Sequence, residues 1–263
     1  MCLICETSDY STLSDVIELD CDGCRDVTKI PDEMINLKKL LCSNTYINYI
    51  SPCCINLEYI ESRCTHLKFI PDTLVNLTRL DCNRNYELES IPDTLTKLEK
   101  LNCSGCEIKT IPNTLINLTR IICIECKYLK SIPDTFVNLI DLNCNLCPLI
   151  KNIPSTLIKL KYLECHDCLM LSTIPGSLDK LEYLGIVGCF IYLPFKIKKL
   201  VSIGIINNRQ YINNNQLGLC RIKLRNKLKR AKSRIILKKQ IINYMDEQDL
   251  LLYDLNKIMI EYL

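Results

Sequence analysis

The sequence predicts an α/β solenoid: a right-handed coil with a parallel concave β-sheet, short 3-10 or helical turns on the convex side, and a C-terminal helical cap. Three observations lead there. A leucine returns at a nearly constant interval, a proline keeps a constant distance from it, and a short alternating apolar stretch lies between them. The chain divides into an N-terminal cap over 1–15, a solenoid of about nine repeats over 16–200, and a basic helical cap or tail over 201–263.

The leucine series is Leu37, Leu57, Leu77, Leu98, Leu118, Leu139, Leu160, Leu181 and Leu200, with steps of 20, 20, 21, 20, 21, 21, 21 and 19 residues. A period of this size marks units that cannot close a core alone and must stack on their neighbours. An earlier copy starts at Val16. Each unit reads LxxLxCxxC, a loop, then IPDTLxNL, as in LTRLDCNRNYELESIPDTLTKL from Leu77. Pro31, Pro71, Pro92, Pro112, Pro133, Pro154, Pro175 and Pro194 each precede the next leading Leu by six residues, so the extra residue of longer copies belongs to the loop after the strand. Pro52, in SPCCINL, stands five residues before its Leu and marks that copy as a local irregularity.

Within LxxLxC the apolar positions alternate as in a short strand with one buried face, and copies returning on the same side must pair in parallel. Nine such strands give a ladder roughly 40 Å long. The residue before each Pro is pushed to an extended backbone. Pro itself suits a first helical position, and the Asp that usually follows favours the positive end of a brief helix. About a dozen residues remain for the return path, which is why short helical turns and gentle curvature are expected.

With these residues in view, the motif resembles that of the leucine-rich-repeat superfamily over Val16 to about Leu200. Its Cys and Pro usage is similar to the short bacterial and plant-type repeats. The bias toward Ile, Asn, Lys and Cys resembles leucine-rich-repeat proteins of giant amoebal viruses, which would place the protein in a host cytoplasm. The resemblance implies a concave sheet that binds another protein, and it carries over no catalytic residue.

Charge is unevenly spread. Residues 1–195 hold 18 Lys and Arg against 25 Asp and Glu, net −7, whereas 196–263 hold 15 against 5, net +10. Met1–Tyr10 has no basic start or long apolar run, so no secretory leader is expected. The longest uncharged apolar stretch, Tyr183–Phe195, is broken by Pro194 and is too short for a bilayer span. Nineteen cysteines without an export signal point to reduced thiols in the cytoplasm.

Within the repeats five C-x-x-C pairs, Cys21/Cys24, Cys103/Cys106, Cys123/Cys126, Cys144/Cys147 and Cys165/Cys168, have zinc-site spacing when taken two at a time. In repeat phase they occupy the fifth and eighth residues after the leading Leu. Other copies place Ser62 or Ile186 at the first of these, and Thr45, Thr65 or Asn85 at the second, an exchange that metal ligands would not tolerate. Small buried side chains that pack sideways or satisfy corner amides would tolerate it. Zinc stays open only if stacked neighbours converge on a tetrahedral thiolate cage. Disulfides between rungs lack the required geometry. His166 and Cys165, being adjacent, point to opposite faces of the strand. No metal or other cofactor is expected.

Side chains that leave the strands outward are freed from packing, and function is sought there. One row reads Glu18, Lys39, Tyr59, Arg79, Lys100, Arg120, Asp141, Tyr162 and Tyr183; the row beside it includes Asp81, Asn102, Asn143 and Glu164. Tyr and Arg are the residues that most often anchor protein interfaces. Lys39, Tyr59, Arg79, Lys100, Arg120, Tyr162, Tyr183, Asp81 and Glu164 are therefore the candidate partner-binding residues. The plainer reading is that these charges solubilise the sheet and pair across rungs.

From Gln216 to Asn243 apolar residues recur near helical spacing, and ten basic residues lie between Arg221 and Lys239 with no acidic one. A capping helix covering the last rung explains this, and terminal repeats need such a cover. The alternative is a basic helix, with Arg221, Arg225, Lys229 and Lys232, that contacts nucleic acid or an anionic surface; sparse aromatics weaken single-strand stacking. No phosphate loop, nucleophile elbow or zinc-protease motif is present, and two His leave little for acid–base work, so no enzyme is expected. The rival of a different class is a ubiquitin-ligase-like effector using Cys220. Some 60 residues after Leu200 are too few for a usual catalytic domain.

Overall fold

The structure, a computed structural model, describes residues 3–6, 10–186 and 189, together with the strands 202–204 and 211–213. After a short helix α1 (Leu3–Glu6) and a 3-10 segment (Tyr10–Asp15), the chain winds as a solenoid. Leu13, on the 3-10 segment, is buried at the head of the core.

Every coil contributes one short strand. These are β1 (Glu18–Asp20), β3 (Lys39–Leu41), β5 (Tyr59–Glu61), β6 (Arg79–Asp81), β7 (Lys100–Asn102), β8 (Arg120–Ile122), β9 (Asp141–Asn143), β10 (Tyr162–Glu164) and β11 (Tyr183–Gly185). The sheet continues past Leu200 through β12 (Ser202–Gly204), also parallel, and ends on the antiparallel strand β13 (Tyr211–Asn213). A separate two-stranded ribbon pairs β2 (Lys29–Ile30) with β4 (Tyr49–Ile50) on the return path of the first coils.

If the leading Leu is position 1, each strand occupies positions 3 to 5, and the register matches like with like: Tyr59 lies beside Arg79, Arg79 beside Lys100, Lys100 beside Arg120. Position 4 is buried in every described coil while positions 3 and 5 face outward, as period-two alternation requires. The inward residues form one continuous core from Leu13 to Ile186. Phe136 fills the slot that Met34, Cys54, Leu74, Leu95, Leu115, Leu157 and Leu178 fill elsewhere, and all of them are buried.

The ladder of hydrogen bonds runs beyond the strands. The amide at position 6 reaches the position-5 carbonyl of the next coil, as in Cys82 N to Asn102 O (2.8 Å), and the amide at position 8 reaches the next position-7 carbonyl, as in Arg84 N to Ser104 O (2.7 Å). To turn the amide that way, position 8 adopts a positive φ in eight successive coils: Gly23, Asn44, Cys64, Arg84, Gly105, Glu125, Leu146 and Asp167. For an L-residue this backbone costs roughly 1 kcal/mol, and only two coils use glycine there. Leu146→Gly and Glu125→Gly are each expected to stabilise the fold by about 0.5–1 kcal/mol. Leu146 is 45% exposed and loses little packing. Urea unfolding in which neither variant exceeds the parent would contradict this account.

The convex side departs from the sequence-based expectation. No helix, 3-10 or α, occurs among the described residues between Asp15 and Ile186; the return path is a run of turns. The segment Pro71–Leu77 shows why. Leu74 N meets Pro71 O at a long 3.4 Å, and Val75 N turns instead to Thr73 O at 2.8 Å. Thr73 Oγ1 meanwhile donates to Pro52 O (2.7 Å) and Asn76 Nδ2 to Ile55 O (3.0 Å), both on the preceding coil. The same Thr bond recurs at Thr94, Thr114, Thr135 and Thr156, and the Asn bond at Asn36, Asn56, Asn117 and Asn138. The Thr and Asn of DTLxNL thus tie coil to coil, and side chains that compete for carbonyls in this way displace the helical pattern.

The extra residue of the longer copies does sit after the strand. Leu88, Leu129, Ile150 and Leu171 each close an added turn there, as in Leu88 N to Asn85 O at 3.1 Å. The irregular SPCCINL copy keeps its coil length. Ser51, fully buried, takes the slot of the usual proline, donates to Asp32 Oδ1 at 2.6 Å and accepts from Cys53 N at 3.0 Å.

Candidate protein-interaction face

The C-x-x-C pairs from Cys103/Cys106 onward resolve into a structural ladder. Position-6 thiols donate toward the next coil, as in Cys82 Sγ to Asn102 O (3.4 Å) and Cys165 Sγ to Gly185 O (3.4 Å). Position-9 thiols reach back to the position-6 carbonyl of the preceding coil: Cys106 to Cys82 O (3.1 Å), Cys126 to Cys103 O (3.2 Å), Cys147 to Cys123 O (2.9 Å) and Cys168 to Cys144 O (3.0 Å). A thiol can donate only while protonated, and at position 6 burial raises Cys42 well above its ordinary range. Where position 9 is not Cys, Asn85 takes the same role with its amide, donating to Ser62 O (2.7 Å) and Cys82 O (2.9 Å). No three of the ladder cysteines bring their sulfurs together as metal ligands among the described residues.

With the inner face devoted to packing, the outward strand face holds the remaining chemistry. Lys39 pairs with Glu18 at 3.1 Å. The Arg79 guanidinium lies over the Tyr59 ring, 4.9 Å from its centroid, and Tyr59 Oη donates to Glu61 Oε2 at 2.6 Å. Burial, then that hydrogen bond, push the Tyr59 phenol up to about 12, so it remains a donor at any ordinary pH. Arg120 pairs with Asp141 at 3.1 Å; burial raises the Asp141 carboxyl while Arg120 opposes the shift. Lys100, between Arg79 and Arg120, makes no ion pair among the described residues. Tyr162 is 45% exposed and its Oη stands 3.5 Å from Glu182 Oε2; Tyr183 is the next rung.

The acidic row is held in place from the loop beyond the strand. Arg63 Nε donates to Asp81 Oδ2 at 2.8 Å while its Nη2 lies 3.6 Å from Glu61, and Asn102 Nδ2 donates to Asp81 at 3.2 Å. Glu164 accepts from Asn143 (2.7 Å) and Asn145 (3.1 Å). Arg63 and Asn145 occupy position 7, which has no repeat preference, so sequence reasoning passed over them. It also passed over a groove of about 620 Å³ along one edge of the coil, lined by Lys97, Glu99, Asn117, Asn138 and Lys159 among others. The tail residues Arg221, Arg225, Lys229 and Lys232, the helix expected over 216–243 and Cys220 lie outside the described residues. No helix among the described residues is long and apolar enough to cross a membrane.

No family model and no curated protein matches the chain. Solved structures with this fold are leucine-rich-repeat proteins, and the chain has the leucine-rich-repeat fold. The leucine-rich-repeat domain of the type III effector XopL matches with a TM-score of 0.61 and 18% identity, covering 72% of this chain and 75% of that one. The leucine-rich effector YopM from Yersinia pestis matches at 0.57 with 19% identity, covering 72% and 61%. The functional domain of InlJ from Listeria monocytogenes, which includes a cysteine ladder, matches at 0.53 with 18% identity, covering 74% and 54%. At such identities the likeness concerns the fold alone.

Proposed function

We propose that the protein is a non-enzymatic interaction scaffold that captures another protein on its outward strand face. The observation that carries this reading is the column Arg79, Lys100, Arg120 on three consecutive rungs in direct register. Neighbouring strands lie about 4.8 Å apart, and like charges placed directly opposite destabilise a sheet. The stack tolerates this although only its outer members are offset within the fold, Arg79 by the Tyr59 ring and Arg120 by Asp141, while Lys100 between them makes no ion pair among the described residues. Tyr59, Tyr162 and Tyr183 flank the column with large, rigid anchors, and Lys39, Asp81 and Glu164 give it a charged rim. Such a surface fits a partner that offers carboxylates and hydrogen-bond acceptors. A binding role for the basic tail remains a second proposal, supported by its net +10 against the net −7 of residues 1–195.

Replacing Arg79, Arg120 and Tyr162 together is expected to abolish partner capture from the native cell while leaving the melting temperature near that of the parent, because exposed strand residues change stability little. Capture of the same partner at undiminished yield by the triple variant would refute this face.

A further inference from the structure

The first coil differs from all later ones at position 9. In later coils the thiol there meets a carbonyl of the preceding coil, whereas Cys24 meets a second sulfur: Cys5 Sγ of α1 lies 3.2 Å from Cys24 Sγ. Both thiols are half-buried and packed against the head of the core. Asp26, exposed on the same loop, brings a carboxylate oxygen within 4.8 Å of both sulfurs. Among the described residues this is the one group of three metal-ligating side chains whose ligand atoms converge.

We infer that Cys5, Cys24 and Asp26 bind a zinc ion that fastens α1 to the first coil. Two thiolates and a carboxylate form a donor set suited to Zn²⁺ and poorly suited to Ca²⁺ or Mg²⁺, which take oxygen. Thiolates about 2.3 Å from a tetrahedral zinc stand roughly 3.8 Å apart, so the pair opens by about 0.6 Å to admit the ion; a disulfide would require it to close by about 1.1 Å. The sequence supports the assignment. Cys2 precedes Cys5, and Cys21 precedes Cys24, at C-x-x-C spacing with fifteen residues between the pairs, an interval typical of zinc sites. Cys21 itself serves the ladder, donating to Leu41 O at 3.4 Å. Binding deprotonates both thiols, and two protons leave to solvent as the ion enters. The ion ties the cap across the end of the stack where no coil precedes the first, and its binding free energy adds to the stability of that end.

The test uses the full chain, purified under reducing conditions from zinc-supplemented cells, with metal measured by inductively coupled plasma mass spectrometry. One zinc per chain is expected, together with a fall in melting temperature on chelation that added Zn²⁺ reverses. Cys5→Ser and Cys24→Ser should abolish retention, and Asp26→Asn should weaken affinity about tenfold or more in competition with a chromophoric chelator. Cys103→Ser/Cys106→Ser, a ladder pair, should keep its zinc. Cobalt substitution should give a thiolate-to-metal charge-transfer band that Cys24→Ser lacks. Parent protein that is folded yet metal-free, retention equally lost in the ladder variant, or an intact mass two hydrogens light with Cys5 and Cys24 resistant to alkylation would each overturn the site. The parent measurement stands even if a cysteine variant fails to fold.

Discussion

Replacing Phe136 by alanine is expected to destabilise the protein by about 3–5 kcal/mol, read as a large fall in the urea midpoint. The ring is wholly buried, in the slot that five other coils fill with leucine. Truncation leaves a cavity with no neighbouring side chain free to collapse into it, since the residues above and below are fixed by the register of their own coils. Phe136→Leu, which puts the majority residue in its place, should cost under about 1.5 kcal/mol. In a solenoid each unit touches only its neighbours, so the loss should be centred on the coils around β8 and β9. Hydrogen exchange in the alanine variant should accelerate there first. A loss under 1 kcal/mol, or a uniform rise in exchange along the chain, would show that the slot is not tightly packed.

Asn85 yields the second large effect. Its side chain is fully buried, donates to Ser62 O and Cys82 O, and accepts from Leu67 N (3.0 Å) and Thr65 Oγ1 (2.5 Å). Asn85→Ala removes every one of these contacts at once. Each buried group left unpaired costs about 1–3 kcal/mol, and with partial rearrangement a total of about 3–4 kcal/mol is expected. Asn85→Cys should recover about half of that, because a thiol can reach the preceding carbonyl as Cys106 reaches Cys82 O. The expected order of urea midpoints is parent, Cys, Ala. Equal midpoints for Cys and Ala would show that the ladder thiols do not stand in for an amide.

The strands were legible in the sequence because every copy repeats the same inward residues, and parallel stacking leaves only one register that buries them all. The SPCCINL copy was legible as irregular, though not as a proline slot passed to Ser51. The convex turns were misread. Asp after Pro suggests a helix start when a single copy is considered, but the Thr and Asn that follow bond to the coil before, a relation that exists only once coils are stacked. The left-handed residue at position 8 was hidden for a similar reason: Gly23 and Gly105 alone signal it, while Arg84, Glu125 and Leu146 adopt it under the pull of the next coil's carbonyl. On the candidate face, alternation assigned the outward rows correctly, including Arg79, Lys100 and Arg120. Arg63 and Asn145 could not be found that way, because what makes them matter is a carboxylate one rung distant.

The thiol and amide bonds of position 9 have one more implication. Since Cys from Cys106 onward and Asn at Asn85 both serve at this joint, and since the acceptor on the preceding coil is main chain, the joint depends little on which of those coils meet. Adding or removing one unit of 20 or 21 residues, the common spacing of the leading leucines, would therefore leave the same kind of joint at the new junction. Overall reach would then vary between relatives independently of the residues displayed along the outer strands, so a surface could be lengthened to suit a larger target without reinventing what lies beneath it.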